Sequence, residues 1–183
     1  MIYNKEIRLK DGRSCTIRNA VAEDAREVLD DFILTHSETD YLSSYPDEIN
    51  ITVEKEAEFL RARTESPDEA ELIAVVDGNV VGCAGIDRIG RHYKMSHRAN
   101  FGISIEKAYW GLGIGRALTE SCIECAKNAG YTQVELEAVA DNGHALNLYE
   151  SVGFVEFGRN PRGFRSRITG YNELVYMRLE LGE

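Results

Sequence analysis

The sequence predicts an α/β (or α+β) fold built on a mixed central sheet, and three observations predict it. Residues 72–76 and 80–86 are β-rich runs flanking Asp77-Gly78, the pattern of an antiparallel hairpin. A strand over 95–105 leads through a glycine-rich turn into a long helical pattern, and another strand follows at 133–138. That order is a strand–helix–strand crossover. Two amphipathic helical patterns precede the hairpin, so antiparallel and crossover connections share one chain.

Taken in order, residues 1–12 alternate polar and apolar side chains and contain no apolar block of the signal-peptide kind. A strand is expected over 13–18, around Cys15, Thr16 and Ile17. Val21, Ala25, Val28, Leu29, Phe32 and Ile33 then recur at helical spacing. Residues 35–50 are polar and aromatic and read as a loop or short helix. A second helix is expected over 53–63, where Val53, Ala57 and Leu60 line one face, and Ser66-Pro67-Asp68 breaks the chain before the hairpin. Beyond the glycine-rich turn, Ile114, Ala117, Leu118, Ser121, Cys122 and Cys125 mark the long helix, with Gly130 placed to end it. A short helix over 144–151 stops before Gly153, and strands at 154–158 and 173–181 close the chain around a loop at 160–172.

With 183 residues, the chain fits a single domain, 1–183, with a sizeable core. A hydrophobic share of 43% and a charged share of 28% exclude a disordered chain. The net charge of −10 argues against nucleic-acid binding, which needs clustered Lys and Arg. No stretch reaches the length of a membrane span, so a cytoplasmic protein with no membrane partner is expected. Cys122 and Cys125 have C-x-x-C spacing, but both fall on the apolar face of a helix with no companion pair. They read as buried hydrophobes in a reducing compartment, and nothing calls for a metal.

The chemistry concentrates at Trp110-Gly111-Leu112-Gly113-Ile114-Gly115-Arg116. Three alternating glycines between a strand end and a helix start let several backbone N–H groups converge on a diphosphate. The helix adds unpaired N–H groups and the positive end of its dipole, and Arg116 adds a charge in the first turn. A P-loop would need Lys followed by Ser or Thr where Arg116-Ala117 stands, and no early strand–turn–helix unit opens the chain as a dinucleotide domain would.

Residues 101–154 resemble the core of the GCN5-related N-acetyltransferase (GNAT) superfamily. The acetyl-CoA motif of that family, Arg or Gln, two residues, Gly, any residue, Gly or Ala, is matched by residues 110–115, with Trp110 in place of the usual Arg or Gln. A second block, Asn-x-x-Ala-x-x-Leu-Tyr-x-x-x-Gly-Phe, is matched by Asn142, Ala145, Leu148, Tyr149, Gly153 and Phe154. The resemblance implies a mostly antiparallel mixed sheet with about four helices on both faces and splayed strands at the acetyl-CoA site. It also implies a bulge, for which Gly102 is suited, and free backbone groups at Ile103, Ser104 and Ile105 for the pantetheine arm and thioester.

The resemblance further implies that Gly111, Leu112, Gly113, Ile114, Gly115 and Arg116 hold the diphosphate, that Asn142 contacts the cofactor, and that Tyr149 is the general acid. A phenol stays protonated at neutral pH and can protonate a thiolate. Glu137 stands where some ribosomal-protein acetyltransferases of the superfamily carry a catalytic Glu, and His97 and Asn100 are alternative bases. The implied reaction is transfer of acetyl from acetyl-CoA to a primary amine of a small molecule or peptide, with a non-catalytic acyl-CoA-binding domain as the alternative. Dimers are frequent in the family, so a homodimer is compatible with it. Segments 35–50 and 160–172 are expected to build the acceptor site: the first is acidic and aromatic, while the second carries Arg162, Arg165 and Arg167.

Overall fold

The computed structural model describes residues 2–182. Its elements run β1 (Asn4–Arg8), β2 (Ser14–Asn19), α1 (Ala25–Glu38), α2 (Val53–Glu65), β3 (Ala70–Val76), β4 (Asn79–Arg88), β5 (Arg98–Ile105), α3 (Ile114–Asn128), β6 (Gln133–Val139), α4 (Gly143–Ser151), β7 (Val155–Ser166) and β8 (Gly170–Glu180). All eight strands join one sheet in the order β1-β2-β3-β4-β5-β6-β8-β7. Neighbours are antiparallel except β5 and β6, which the α3 crossover makes parallel. Asp77 and Gly78 both take positive φ (52° and 84°), as a two-residue turn between β3 and β4 requires.

Alternation along the strands sorts the core into two layers. Leu72, Ala74, Val76, Val81, Ala84 and Ile86 face α3 and α4, packing on Ile114, Leu118, Cys122 and Cys125. Ile73, Val80 and Cys83 face the other way, against Ala25 and Val28 of α1 and Leu60 of α2. Cys122 and Cys125 are fully buried, and burial pushes both thiols up. Among the described residues no helix is long and apolar enough to cross a membrane.

Two segments depart from the sequence pattern. The pattern marks no strand at 4–8, yet β1 pairs with β2 from Asn4↔Arg18 to Arg8↔Ser14. Only Ile7 of that strand is part-buried, so the alternation of residues 1–12 gives β1 no buried apolar face to announce it. The expected loop at 160–172 is instead the far half of the β7–β8 hairpin, paired at Phe164↔Asn172, Arg165↔Tyr171 and Ser166↔Gly170. A register shift between Asn160 and Phe164 takes Pro161 out of the ladder, which hides the strand from its composition.

One buried charge sits between α1 and β4. Asp31 is 3% exposed, accepts a hydrogen bond from the Cys83 thiol at 3.5 Å, and leaves its Oδ1 without a partner. Desolvation, with Glu106 and Glu38 adding negative charge nearby, pushes its carboxyl up to about 7.

Candidate active site

The sheet opens at its one parallel pair. Arg98↔Gln133, Ala99↔Val134 and Asn100↔Glu135 pair, and beyond them β5 and β6 part company. β5 stays with β4 through Gly82↔Ile105 without a register shift, so the expected bulge at Gly102 is absent from that ladder. Past the parting, β5 continues with β4 on its far edge while β6 stays paired with β8 along its whole length on its own far edge.

Which backbone groups face the opening follows from hydrogen bonds at the ends of β5. The carbonyl of Arg98 accepts from Ile89 and the amide of Glu106 donates to Val81, both on the β4 side. The carbonyl of His97 accepts from Thr132 and Gln133, on the β6 side. Alternation therefore engages the Ser104 backbone with β4 and turns those of Ile103 and Ile105 toward the gap. Side chains alternate likewise. Ile103 and Ile105 pack on the α3–α4 layer, and Ser104 points to the α1 side.

At the mouth of the gap, Gly111 and Gly113 adopt φ of 76° and 104°, conformations that favour glycine, and Gly113 is the N-cap of α3. A Cβ on Gly115 would lie 3.2 Å from Leu148 and 3.3 Å from Ile105, so this glycine lets α3 approach α4 and β5 closely. Ile114 is buried, and the Leu112 carbonyl accepts from the amide of Lys10 at 3.1 Å, which ties the turn to the β1–β2 connection. Arg116 donates to Ser151 Oγ at 2.7 Å and reaches Glu120 at 3.3 Å. Trp110, the departure from the family motif, uses its indole N–H to donate to the Ile105 carbonyl at 2.8 Å.

A cavity of about 330 Å³ fills the gap and joins most of the expected residues. Its wall includes Ile103, Ser104, Ile105, Gly111, Gly115, Asn142, Tyr149 and Glu137, and residues 39 and 41–43 on the α1 side. Leu112, Gly113, Ile114 and Arg116 lie in the adjoining turn and first helical turn rather than in this wall. His97 and Asn100 stand at the closed end of the strands, outside the cavity wall. Tyr149 packs edge-on to Phe101 and against Phe154, is 7% exposed, and makes no hydroxyl hydrogen bond to a described residue. Burial pushes its phenol up to about 12. Asn142 caps α4 by accepting from the amide of Ala145 at 3.2 Å. Glu137 is exposed on the α1 side, next to Tyr176 of β8 across the ladder.

The α1 side is held by contacts that the sequence pattern does not announce. Tyr45 donates to Asp40 Oδ1 at 2.9 Å and accepts from the amide of Arg167 at 2.7 Å, while Ser166 Oγ donates to Asp40 Oδ2. Arg167 bonds both oxygens of Asp47 (2.7 and 2.8 Å) and stacks 4.3 Å above the Tyr45 ring. The β7–β8 turn thus clasps the segment that forms the cavity wall. Tyr41 donates to the Asp141 carbonyl at 3.5 Å across the mouth, and Glu38 accepts from the amide of Lys107 at 2.7 Å.

The architecture defines the class first: a mixed sheet parted between its parallel strands is the fold of a solved GNAT-family acetyltransferase from Streptococcus pneumoniae. That structure superposes with a TM-score of 0.87 at 29% identity, over 91% of this chain and 99% of that one. A model of the acetyltransferase (GNAT) family matches residues 31–154, and the chain belongs to that family. It is 38% identical over 100 residues to the N-alpha-acetyltransferase RimI of Mycobacterium tuberculosis, covering 55% of this chain and 61% of the relative. It is 31% identical over 112 residues to the L-amino acid N-acetyltransferase AaaT of Escherichia coli, covering 61% and 68%. The chain therefore spans about two thirds of the length of these relatives.

Proposed function

We propose that the chain is an N-acetyltransferase that transfers the acetyl group of acetyl-CoA to a primary amine. The observation that carries this reading is the parting of β5 and β6, which leaves the Ile103 and Ile105 backbones facing a cavity that also contains Tyr149. The names of the two relatives, one an N-alpha-acetyltransferase and the other an amino acid N-acetyltransferase, support acetyl transfer to nitrogen.

The amides at Gly111–Arg116, at the positive end of α3, suit a diphosphate, with Arg116 alongside. The gap suits an extended amide-bearing arm, because Ile103 offers both backbone groups and Ile105 its N–H; the Ile105 carbonyl is already taken by Trp110. Asn142 lines the same cavity while capping α4, and both roles are compatible. Acetyl-CoA supplies the activated acyl group; the chain places a donor and an acceptor around it. Tyr149 faces the leaving sulfur from the α4 side. Its phenol, near 12, is a weaker acid than an ordinary thiol at about 8.5, so Tyr149 stays protonated and stabilises the departing thiolate by donating a hydrogen bond as the C–S bond breaks. Glu137, on the α1 side, attracts the ammonium and accepts the proton that the amine loses, directly or through water.

The test is acetyl-CoA consumption across an amine library, with binding measured separately. Tyr149→Phe should bind acetyl-CoA with wild-type affinity and turn over about 100-fold more slowly. Acetyl-CoA binding with no acetylated product from the wild-type protein would favour a non-catalytic acyl-CoA-binding domain instead.

A further inference from the structure

We infer that the acceptor is an amine with no free carboxylate on the adjacent carbon: an α-amino group whose carboxyl is blocked as an amide, rather than a free amino acid. This rests on the transferase reading above and specifies the substrate class of the same site. On the α1 side of the cavity the wall is built from Thr39, Tyr41, Leu42, Ser43, Ser104 and Glu137. Its polar groups are hydroxyls and one carboxylate. Glu137 makes no hydrogen bond or ion pair with a described residue, whereas Glu135, its neighbour on the same face, is bound by two nitrogens of Arg98.

The arginines that could answer a carboxylate are held elsewhere, and the one basic side chain in the cavity wall, His144, belongs to α4, on the side of the sheet away from Glu137. Arg159 bonds Glu156 and Glu173 at 2.7 and 2.8 Å. Arg167 is committed to Asp47, Glu48 and the Tyr45 ring in the clasp. Arg162 and Arg165 lie 3.9 and 5.5 Å from the centre of the Tyr171 ring. Tyr171 alternates with Val175 and Met177, which face the α3–α4 layer, so these two arginines stand on the opposite side of the sheet from Glu137.

An α-carboxylate is two bonds from its amine, so an amino acid that brings its nitrogen to Glu137 brings its carboxylate within about 5 Å of a like charge. An amide at that position is neutral, and the hydroxyls of Thr39, Tyr41 and Ser43 can bond its carbonyl and N–H. The site therefore selects against the free acid by charge and accepts the amide by hydrogen bonding.

The deciding experiment compares kcat/KM for matched pairs, alanine with alaninamide and phenylalanine with phenylalaninamide, each expressed per unit of unprotonated amine so that their different basicities cancel. Acetyl-CoA affinity is measured by calorimetry on the same samples. The amides should exceed the acids at least tenfold, and the ratio should fall as NaCl is raised from 0.05 to 0.5 M, because screening weakens the repulsion. In Glu137→Gln the ratio should shrink to within threefold, whatever activity that variant retains. Ratios near one or favouring the acids, a ratio unmoved by both salt and Glu137→Gln, or no acetylation of either pair by a protein that binds acetyl-CoA would overturn the inference. A protein that does not bind acetyl-CoA would instead overturn the transferase reading.

Discussion

The indole N–H of Trp110 donates a 2.8 Å hydrogen bond to the carbonyl of Ile105, five residues back along the chain. Ile105 is the last residue of β5, where the strand has no partner on the β6 side. The bond closes the end of the open strand onto the turn that leads into α3. Trp110 thus fixes the angle between strand and turn, in a family whose motif carries Arg or Gln at this position. Trp110→Phe keeps the ring and loses the donor. We expect acetyl-CoA affinity to fall about fivefold to tenfold, in line with one lost hydrogen bond, with melting temperature little changed. Calorimetric titration checks this, and an unchanged affinity would remove the bond from cofactor binding.

The clasp between Asp40, Tyr45 and Ser166 predicts a division between the two substrates. Ser166→Ala removes the hydroxyl that donates to Asp40 and accepts from the amides of Ile168 and Thr169 at 2.8 and 3.0 Å. The wall segment 39–43 should then lose its anchor while the glycine-rich turn is untouched. The expected result is a rise of about tenfold in KM for the amine, with acetyl-CoA affinity within twofold of wild type, and recovery in Ser166→Thr. Equal losses for both substrates would mean that the clasp only supports the fold.

Asp31 gives stability a defined pH dependence. Its folded pKa, about 7, lies above the ordinary carboxyl value of 3.8, so the folded state holds this proton more tightly than the unfolded one. The contribution is fully present below about 4 and is lost as pH rises through 7, by up to about 1.4 kcal/mol per pH unit in that window. Glu106 and Glu38 disfavour its charge, and the hydrogen bond from Cys83, which favours that charge, offsets the desolvation only in part. Asp31→Asn should therefore be more stable than wild type at pH 8, and the advantage should vanish near pH 4. Denaturant melts at both values test this; an advantage of the same size at both would contradict it.

Much of the fold is legible in the sequence because its signals are local. The Asp77-Gly78 turn, the α3 pattern ending at Gly130, and the cap at Asn142 each depend on residues within a few positions. What escapes are features set by distant pairing. β1 is an edge strand whose sheet neighbour is β2, and the outer half of β7 is disguised by Pro161, Gly163 and two arginines, Arg162 and Arg165. In the site, the motif positions locate the glycine-rich turn, Asn142, Tyr149 and Glu137 on one cavity, whereas the engagement of Ser104 with β4 follows only from the register. The clasp joins residues 120 and more positions apart, and no spacing rule could connect Asp40 to Ser166.

The central claim is that the cavity between β5 and β6 performs acetyl transfer, with Tyr149 serving the departing sulfur. The most direct measurement is a paired quantification, by mass spectrometry and thiol titration, of N-acetylated amine and free CoA formed by wild type and Tyr149→Phe at saturating acetyl-CoA. Wild type should release the two products one for one, and Tyr149→Phe should slow both by about 100-fold with acetyl-CoA affinity unchanged. CoA released without acetylated amine, or a Tyr149→Phe variant as fast as wild type, would contradict it.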